Sequence, residues 1–271
     1  WLWLNCWKDL PDGMTQKIPW IGTGWKMNKL RADALGFANT LRGSAIANTA
    51  LAQTFVLPPF PYIAEVADIL KNTRVKVGAQ NMHWEEQGAW TGEISAPMLK
   101  DCGATMVELG HSERRTVFNE TDETVALKVK TALKHGLLTL VCIGDTKAEY
   151  DAGQTAEVLE RQTRAALSQV GRAAAGKVIF AYEPVWSIGE GGVPADPDFA
   201  NEQHKLIKAV TTTEAGSALP VLYGGSVNQQ NCCALARQSH IDGLFIGRAA
   251  WNAAGFIGIV EAVIAKLGEP S

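Results

Sequence analysis

The sequence predicts an α/β protein, a single-domain (β/α)8 barrel, from three observations. Eight short apolar runs recur along the 271 residues, segments with helical periodicity separate them, and no linker or internal repeat divides the chain. Each run is continuously apolar rather than alternating, as expected for parallel strands that are covered on both faces. Eight strand-then-helix units favour a closed barrel over a doubly wound sheet, because barrels of roughly 250 residues form one domain.

The predicted strands and helices alternate along the whole chain. The strands cover residues 20–24, 54–58, 75–78, 105–109, 138–142, 178–182, 221–223 and 244–246. A helix is expected from Asp122 to a C-terminal stop at Gly136, with an apolar face formed by Val125, Val129, Ala132 and Leu133. Another is expected to begin at Asp196, a good N-cap, with Pro197 at its first position. The apolar face of that helix comprises Phe199, Leu206, Ile207 and Val210.

Composition and charge exclude several classes of function. The net charge is −3 and the pI is about 6.0, so nothing indicates binding to nucleic acid or to an anionic membrane surface. No apolar run is long enough to cross a bilayer. The five cysteines lack zinc-ligand spacing and do not form an even disulfide set: Cys6, Cys102, Cys142, Cys232 and Cys233. We therefore expect a cytoplasmic protein without a bound metal.

Two features of the chain leave alternatives open. The neighbouring Cys232 and Cys233 could be redox-active, but the packing of two small residues at a helix start is the favoured interpretation. The first seven residues are apolar, too short and without a basic leader, so they make a poor signal peptide. Residues 1–19 are expected to be an N-terminal extension, either disordered or upstream of a true start at Met14, and residues 20–271 the barrel.

Three chemically active side chains follow three different predicted strands. Lys26 follows the first strand, His111 the fourth and Glu183 the sixth. In a barrel, the carboxyl ends of the strands carry the working residues. A carboxylate base with an imidazole and a cation suits removal of a proton next to a carbonyl group. Considered alone, Glu183 is explained equally well by an ordinary strand-to-loop junction.

The last two strands end in sequences suited to phosphate. Gly224, Gly225 and Ser226 follow the seventh strand, and Gly247 and Arg248 follow the eighth. Exposed backbone N–H groups and the serine hydroxyl there can hold a phosphate group.

Two other sequence features are set aside. The glycines before Lys26 lack the spacing of a nucleotide-binding loop. His83, beside Glu85 and Glu86, lacks the paired histidine of a metal-binding helix and is interpreted as a solvated loop residue.

Six segments resemble the triosephosphate isomerase family, and the resemblance covers residues 20–266. The segments are residues 25–28, 78–81, 88–95, 108–115, 181–189 and 223–226. The resemblance implies a TIM barrel and an isomerase without a cofactor. It also implies that Glu183 is the base, His111 the electrophile and Lys26 an electrostatic clamp. Gly189, Ser226 and Gly247 would then hold the phosphate.

The resemblance extends to residues outside the reacting centre. Glu113 is best interpreted as a partner of Lys26, and the alternative is a surface ion pair with Arg114 or Arg115. Gln80, Asn81 and Thr91 match the loop that reaches into a neighbouring subunit in this family. A homodimer is expected on that basis alone.

The substrate pocket departs from the family pattern at several positions. Gly24 stands where the family usually has an asparagine, Phe245 where it has a smaller aliphatic, and Arg248 where it has a second glycine. The glycine-rich loop after the sixth strand is expected to act as a lid over the site, and its second half reads Gly-Val-Pro at residues 192–194 where the family usually has Lys-Thr-Ala. The three chemical positions are kept while the wall has changed, which is the pattern expected for the same reaction on another substrate.

The combination resembles the branch of the family that isomerises erythrulose phosphates. That substrate is dihydroxyacetone phosphate with an added hydroxymethyl group, for which Gly24 is expected to leave room. The expected reaction converts L-erythrulose 1-phosphate into D-erythrulose 4-phosphate. The alternatives are triosephosphate isomerase itself, acting on D-glyceraldehyde 3-phosphate, and a non-catalytic barrel that binds a sugar phosphate.

Overall fold

The computed structural model describes residues 18–189 and 191–269, which form a closed barrel of eight parallel strands in chain order. The strands are β1 (Trp20–Gly24), β2 (Gln53–Leu57), β3 (Lys76–Ala79), β4 (Met106–Leu109), β5 (Leu138–Ile143), β6 (Val178–Tyr182), β7 (Val221–Tyr223) and β8 (Gly243–Ile246). β8 closes the barrel by pairing with β1, where Gly243 lies opposite Trp20. The predicted barrel is confirmed, and each predicted strand lies within one residue of the observed bounds at either end.

Helices surround the barrel on its outer side. They are α1 (Arg31–Arg42), α2 (Ile63–Leu70), α3 (Ala96–Asp101), α4 (Ser112–Phe118), α5 (Asp122–Lys134), α6 (Lys147–Asp151), α7 (Thr155–Leu167), α8 (Arg172–Ala175), α9 (Pro197–Ala215), α10 (Cys232–Ala236) and α11 (Ala253–Leu267). α5 begins at Asp122 and α9 is capped by the Asp196 side chain, which accepts hydrogen bonds from two backbone N–H groups, both as predicted. None of the helices in the described ranges is long and apolar enough to span a bilayer.

The barrel axis is filled by side chains that alternate along the strands. Successive strand residues point to opposite faces, so every second residue faces the axis. The inward set is Phe55, Leu57, Met106, Leu140, Cys142, Ile179, Ala181, Leu222 and Phe245. Glycines make room for the largest of these: a Cβ atom at Gly22 would lie 2.2 Å from the Phe55 ring, and one at Gly78 would lie 2.4 Å from the Met106 side chain.

The outer core contains a histidine that the sequence analysis did not single out. His204 of α9 is fully buried, and its Nδ1 lies 2.6 Å from the carbonyl oxygen of Ala200. Its ring packs edge-on against Tyr182, with the centroids 5.8 Å apart. Burial lowers the pKa of His204 to about 4. This histidine therefore packs as a neutral side chain between α9 and the barrel.

Two further sequence predictions concern the neighbouring cysteines and the start of the chain. Cys232 and Cys233 are free, with sulfur atoms 3.9 Å apart at the start of α10, as the packing interpretation predicted. Residues 1–17, which include Cys6 and Met14, lie outside the described residues. Pro19 contacts β2, since its carbonyl accepts a hydrogen bond from the Gln53 N–H.

Candidate active site

One cavity of about 310 Å³ opens at the carboxyl ends of the strands. Ten of the side chains or glycines predicted for the site line it: Gly24, Lys26, His111, Glu183, Gly189, Gly225, Ser226, Phe245, Gly247 and Arg248. The other four predicted residues, Glu113, Gln80, Asn81 and Thr91, lie outside this lining. The fold therefore brings together residues from β1, β4, β6, β7 and β8 that are far apart in sequence.

Glu183 is a buried carboxylate held by hydrogen bonds at the end of β6. Its side chain is 2 % exposed, and its Oε2 accepts a hydrogen bond of 2.9 Å from the Ser112 backbone N–H. Its Oε1 lies 3.2 Å from His111 Nε2. These contacts hold the carboxyl group in place and join it to the imidazole.

His111 is the N-cap of α4, and this position sets the orientation of its ring. Its Nδ1 accepts a hydrogen bond of 3.1 Å from the Glu113 backbone N–H. An imidazole nitrogen that accepts a hydrogen bond carries no proton, so the ring hydrogen is on Nε2. That N–H points toward Glu183, where it can donate to a substrate oxygen.

Lys26 has a left-handed backbone conformation with φ of 53°, which is strained for a residue other than glycine. Gln80 stabilises this backbone conformation by hydrogen bonding. Its side-chain amide donates to the carbonyl oxygens of Lys26 at 3.1 Å and of Leu57 at 2.8 Å. The Lys26 ammonium lies 2.7 Å from the Glu113 carboxylate. Because both side chains are partly exposed, this ion pair orients the lysine more than it stabilises the fold.

The arginines next to Glu113 pair elsewhere. Arg114 contacts Glu120 and Arg115 contacts Asp122, each at 2.7 Å. Among the described residues, Glu113 therefore pairs with Lys26 and not with a neighbouring arginine.

The loop after β3 contacts its own chain at one end and is exposed at its tip. Asn81 is buried and accepts a hydrogen bond of 2.9 Å from Lys128. Thr91 is exposed, and the preceding Trp90 is 47 % exposed. Of the three residues predicted for this loop's contact with a neighbour, only Thr91 presents an exposed side chain.

The interpretation of His83 as a solvated loop residue is wrong. The histidine is buried, and its ring packs against Trp84 and Trp90 with centroid distances of 4.1 and 4.4 Å. Its Nδ1 accepts a hydrogen bond from the Glu85 N–H. The two tryptophans of the same loop cover the ring and remove it from water.

Both ends of the lid are attached to the barrel. The lid follows the short 3-10 helix Val185–Ser187. Ser187 Oγ accepts a hydrogen bond of 3.0 Å from the Ser226 N–H, and the Ala195 N–H donates to the Tyr223 hydroxyl at 3.3 Å. Gly189 has a φ of 93°, so the lid turns sharply at a position that favours glycine.

The glycines after β7 allow a close approach of backbone to side chains. A Cβ atom at Gly225 would lie 2.4 Å from the Tyr223 hydroxyl oxygen and 2.7 Å from Ser187 Oγ. One at Gly224 would lie 3.0 Å from the Glu183 side chain. After β8, Gly247 leads into the 3-10 helix Arg248–Ala250, and Arg248 is exposed at the cavity mouth.

Glu108, which is not among the predicted site residues, also lines the cavity. It lies two residues after Met106 on the same inward face of β4, so strand alternation alone could have placed it there. Its carboxyl is buried, and Cys142 Sγ lies 3.7 Å from Oε1. Burial, opposed by His111 and reinforced by Glu183, raises the pKa of Glu108 to about 7.

Glu108, Cys142 and Glu183 present ligand-type atoms within 4.8 Å of one another. Burial and the two carboxylates raise the pKa of the Cys142 thiol well above its usual value. A protonated thiol between two carboxyl groups matches neither the sulfur and nitrogen sites of zinc nor the oxygen sites of magnesium. We therefore interpret the cluster as part of the sugar pocket.

A parallel eight-stranded barrel with ionisable side chains and glycine-rich loops at its carboxyl ends defines an enzyme of the barrel class. The sequence model for triosephosphate isomerase matches residues 19–263. The chain belongs to the triosephosphate isomerase family and is an isomerase of sugar phosphates.

Curated relatives cover nearly the whole chain and share one name. The L-erythrulose-1-phosphate isomerase of Mesorhizobium japonicum is 54 % identical over 92 % of this chain and 99 % of its own length. Proteins of the same name from Rhizobium meliloti and Rhizobium rhizogenes are 53 % and 52 % identical, each over 92 % of this chain and over 98 % and 95 % of their own lengths.

Proposed function

We propose that this isomerase interconverts L-erythrulose 1-phosphate and D-erythrulose 4-phosphate. The observation that carries the proposal is the identity of 52–54 % to relatives of that name over 92 % of the chain. The cavity wall is consistent with it, because Gly24 places no side chain between Phe245 and Glu108. A four-carbon sugar phosphate carries a hydroxymethyl group that a triose phosphate lacks, and a side chain at this position would cover part of the wall that this group can contact.

We assign the proton transfer to Glu183, numbering the sugar from the phosphate-bearing C1. The carboxylate removes the proton from C3, and the C3–H electron pair forms the C2–C3 double bond. The C2 carbonyl oxygen thereby becomes an enediolate oxygen. The same carboxyl returns its proton to C2, while the hydroxyl proton moves from the C3 oxygen to the C2 oxygen. The carbonyl group then lies at C3, and no atom is gained or lost.

His111 and Lys26 stabilise the negative charge that develops on the two oxygens. The Nε2–H of His111 donates to an enediolate oxygen, and the Lys26 ammonium supplies a positive charge beside it. In the structure Glu183 is bonded to the Ser112 N–H. The carboxylate must leave this donor to reach C3, and lid closure over the sugar would exclude water during the transfer.

Backbone N–H groups after three strands hold the phosphate in this proposal. They belong to Gly189, Gly225, Ser226 and Gly247, which line the same cavity. The exposed Arg248 adds a positive charge at the mouth. We place the enzyme in the cytoplasm, consistent with free thiols at the four described cysteines.

We also propose a homodimer in which the loop of residues 80–95 contacts a second copy. Trp90 and Thr91 at the tip of this loop are exposed, and Met27 beside the proposed catalytic lysine is 97 % exposed. Exposed apolar side chains of this size mark interaction surfaces when they cluster.

Solvent-deuterium exchange tests the proposed reaction. The protein is incubated in D2O with L-erythrulose 1-phosphate or, separately, with dihydroxyacetone phosphate, and incorporation is followed by NMR. Faster exchange into the tetrulose phosphate is expected. Faster exchange into the triose phosphate would support the triosephosphate isomerase alternative, and exchange into neither would support a non-catalytic barrel.

The role of Glu183 is tested by Glu183→Gln, which keeps the shape but cannot accept the proton. We expect the exchange rate to fall by a factor of about 10³ or more. A positioned general base contributes about 10²–10⁴-fold to the rate, and the amide cannot replace it. Glu157→Gln on the exposed side of α7 is the matched control and should leave exchange unchanged. Equal rates in both variants would exclude Glu183 as the base.

A further inference from the structure

Glu108 is a buried carboxyl in the active-site cavity that the proposed proton transfer does not use. It reaches the cavity from the inward face of β4, where the residue below it, Met106, packs in the barrel core. A carboxyl group placed among apolar side chains costs free energy unless a polar partner meets it. We therefore looked for a polar group of the substrate that this carboxyl could bind.

Glu108 lies on the strand opposite the one that leads to the proposed phosphate donor Gly247. In a closed barrel of eight strands, β4 lies opposite β8. The proposed phosphate donors follow β6, β7 and β8, with Gly247 at the end of β8. In the proposed binding mode, a sugar phosphate anchored there extends into the cavity that Glu108 lines, with its last carbon toward this carboxyl.

Gly24 separates the Phe245 ring from the Glu108 carboxyl in the cavity wall. A Cβ atom at Gly24 would lie 3.1 Å from the Phe245 ring, tighter than an ordinary contact, and 3.5 Å from Glu108 Oε2. Glycine therefore leaves a narrow gap in the wall, in which the ring edge and a carboxyl oxygen both face the cavity. A methylene group in the cavity can pack against the ring while its hydroxyl group meets the carboxyl.

The carboxyl of Glu108 has hydrogen-bonding capacity left for such a hydroxyl. Within residues 18–189 and 191–269, its one hydrogen-bond partner is the Cys142 thiol, a weak donor at 3.7 Å from Oε1. Oε2 faces the gap at Gly24. Because burial and the nearby Glu183 raise the pKa of Glu108 to about 7, against the opposing charges of His111 and Lys26, the group can also donate at neutral pH.

We propose that Glu108 is a specificity-determining residue that hydrogen-bonds the terminal hydroxyl of the four-carbon sugar phosphate in the gap beside Gly24. This inference rests on the proposed function and adds a residue that recognises the fourth carbon. A triose phosphate has no such hydroxyl, so the buried carboxyl stays without its partner when a triose binds. A site built to bond a hydroxyl rejects the analogue that lacks it.

Two variants of Glu108 separate recognition from packing. Glu108→Leu removes the hydrogen-bonding group and keeps a similar volume, whereas Glu108→Gln keeps a group that donates and accepts. The measured quantity is the ratio of kcat/KM for L-erythrulose 1-phosphate to that for dihydroxyacetone phosphate. We expect the leucine variant to lower this ratio by about 30-fold or more. The glutamine variant should lower it by less than about fivefold.

Met106→Leu is the matched control for a change inside the barrel. Met106 lies on the same face of the same strand, one layer below, and does not line the cavity. Leucine and methionine have similar volumes, so this change should leave the ratio within about twofold of the wild-type value.

Inhibition by 2-phosphoglycolate shows whether the rest of the site is intact. This probe carries a phosphate and a carboxylate in place of the enediolate, and it has no hydroxymethyl group. Its inhibition constant should stay within about threefold of the wild-type value in the leucine variant, since its contacts do not include Glu108. An inhibition constant that rises together with the loss of both activities would make Glu108 a structural residue and overturn the inference.

The same assays distinguish a failure of the role proposed for Glu108 from a failure of the proposed function. A wild-type protein that isomerises the tetrulose phosphate, with an unchanged ratio in the leucine variant, overturns the role of Glu108 alone. A wild-type protein that does not isomerise the tetrulose phosphate overturns the proposed function and this inference with it.

Discussion

Two carboxyl groups share the active-site cavity, and their surroundings differ. Glu183 accepts a hydrogen bond from the Ser112 backbone N–H and lies beside His111 Nε2. Glu108 contacts only a thiol among the described residues. Burial and the neighbouring Glu183 raise the pKa of Glu108 to about 7, so Glu108 keeps a proton to a higher pH than an ordinary glutamate does.

Because the pKa of Glu108 is raised in the folded protein, the stability of the protein should depend on pH. Its carboxyl titrates near its usual 4.5 when unfolded and near 7 when folded. Between these values the folded protein keeps a proton that the unfolded chain releases, so stability falls as the pH rises through this window. The loss amounts to about 3 kcal/mol when complete. Glu108→Gln does not ionise and should avoid it.

Urea unfolding at fixed protein concentration measures this effect. The free energy of unfolding of the glutamine variant minus that of wild type is expected to be larger at pH 8 than at pH 5, by up to about 3 kcal/mol, because only wild type loses stability over this range. The comparison at each pH cancels the titration of the other groups. A difference that is the same at both pH values would show that Glu108 does not keep its proton.

At the scale of secondary-structure elements, the ends of β5 and β6 are in direct contact. A Cβ atom at Gly144, just after β5, would lie 1.8 Å from the Glu183 carbonyl oxygen. Gly144 cannot move away easily, because its backbone exchanges hydrogen bonds of 2.8 and 3.1 Å with the Gln162 side chain. The position of the proposed base is therefore fixed by a neighbouring strand.

Gly144→Ala should displace Glu183 and lower kcat. A shift of about 1 Å in a reacting group can cost about 10²-fold. We expect a loss of that order in kcat, with a smaller change in KM because three of the four proposed phosphate contacts, Gly225, Ser226 and Gly247, are on other loops. Steady-state kinetics check this, with Gly171→Ala as the control, where an added Cβ meets nothing within 4 Å. Equal kcat in the two variants would contradict the steric account.

The elements also show why sequence reasoning succeeded and where it failed. The strands were predicted within one residue because each is a continuous apolar run between turn residues. The side chains at strand ends followed from the barrel rule. Helices as short as α8 and α10 carry too few residues for a periodic pattern. The burial of His83 depends on how its loop folds two tryptophans over it, which no local pattern encodes.

At the scale of the whole molecule, the proposed dimer predicts the effect of a charge at the tip of the loop after β3. Thr91→Arg would place a guanidinium in the interface, so we expect the dimer dissociation constant to rise by about 100-fold or more. Light scattering after gel filtration measures it. Thr213→Arg on the exposed face of α9 is the matched control and should stay dimeric. A Thr91→Arg protein that remains a dimer would place the interface elsewhere.

The packing of the barrel axis limits how this chain can change over evolution. Gly22 and Phe55 fit only as a pair, since a Cβ on the glycine would lie 2.2 Å from a fully buried ring. Enlarging the glycine first produces an overlap that costs about 1–3 kcal/mol, and shrinking the ring first leaves a cavity that costs about 3–5 kcal/mol. Against a total stability of about 5–15 kcal/mol, either first step is heavily selected against. The two positions are therefore expected to vary together among relatives or not at all.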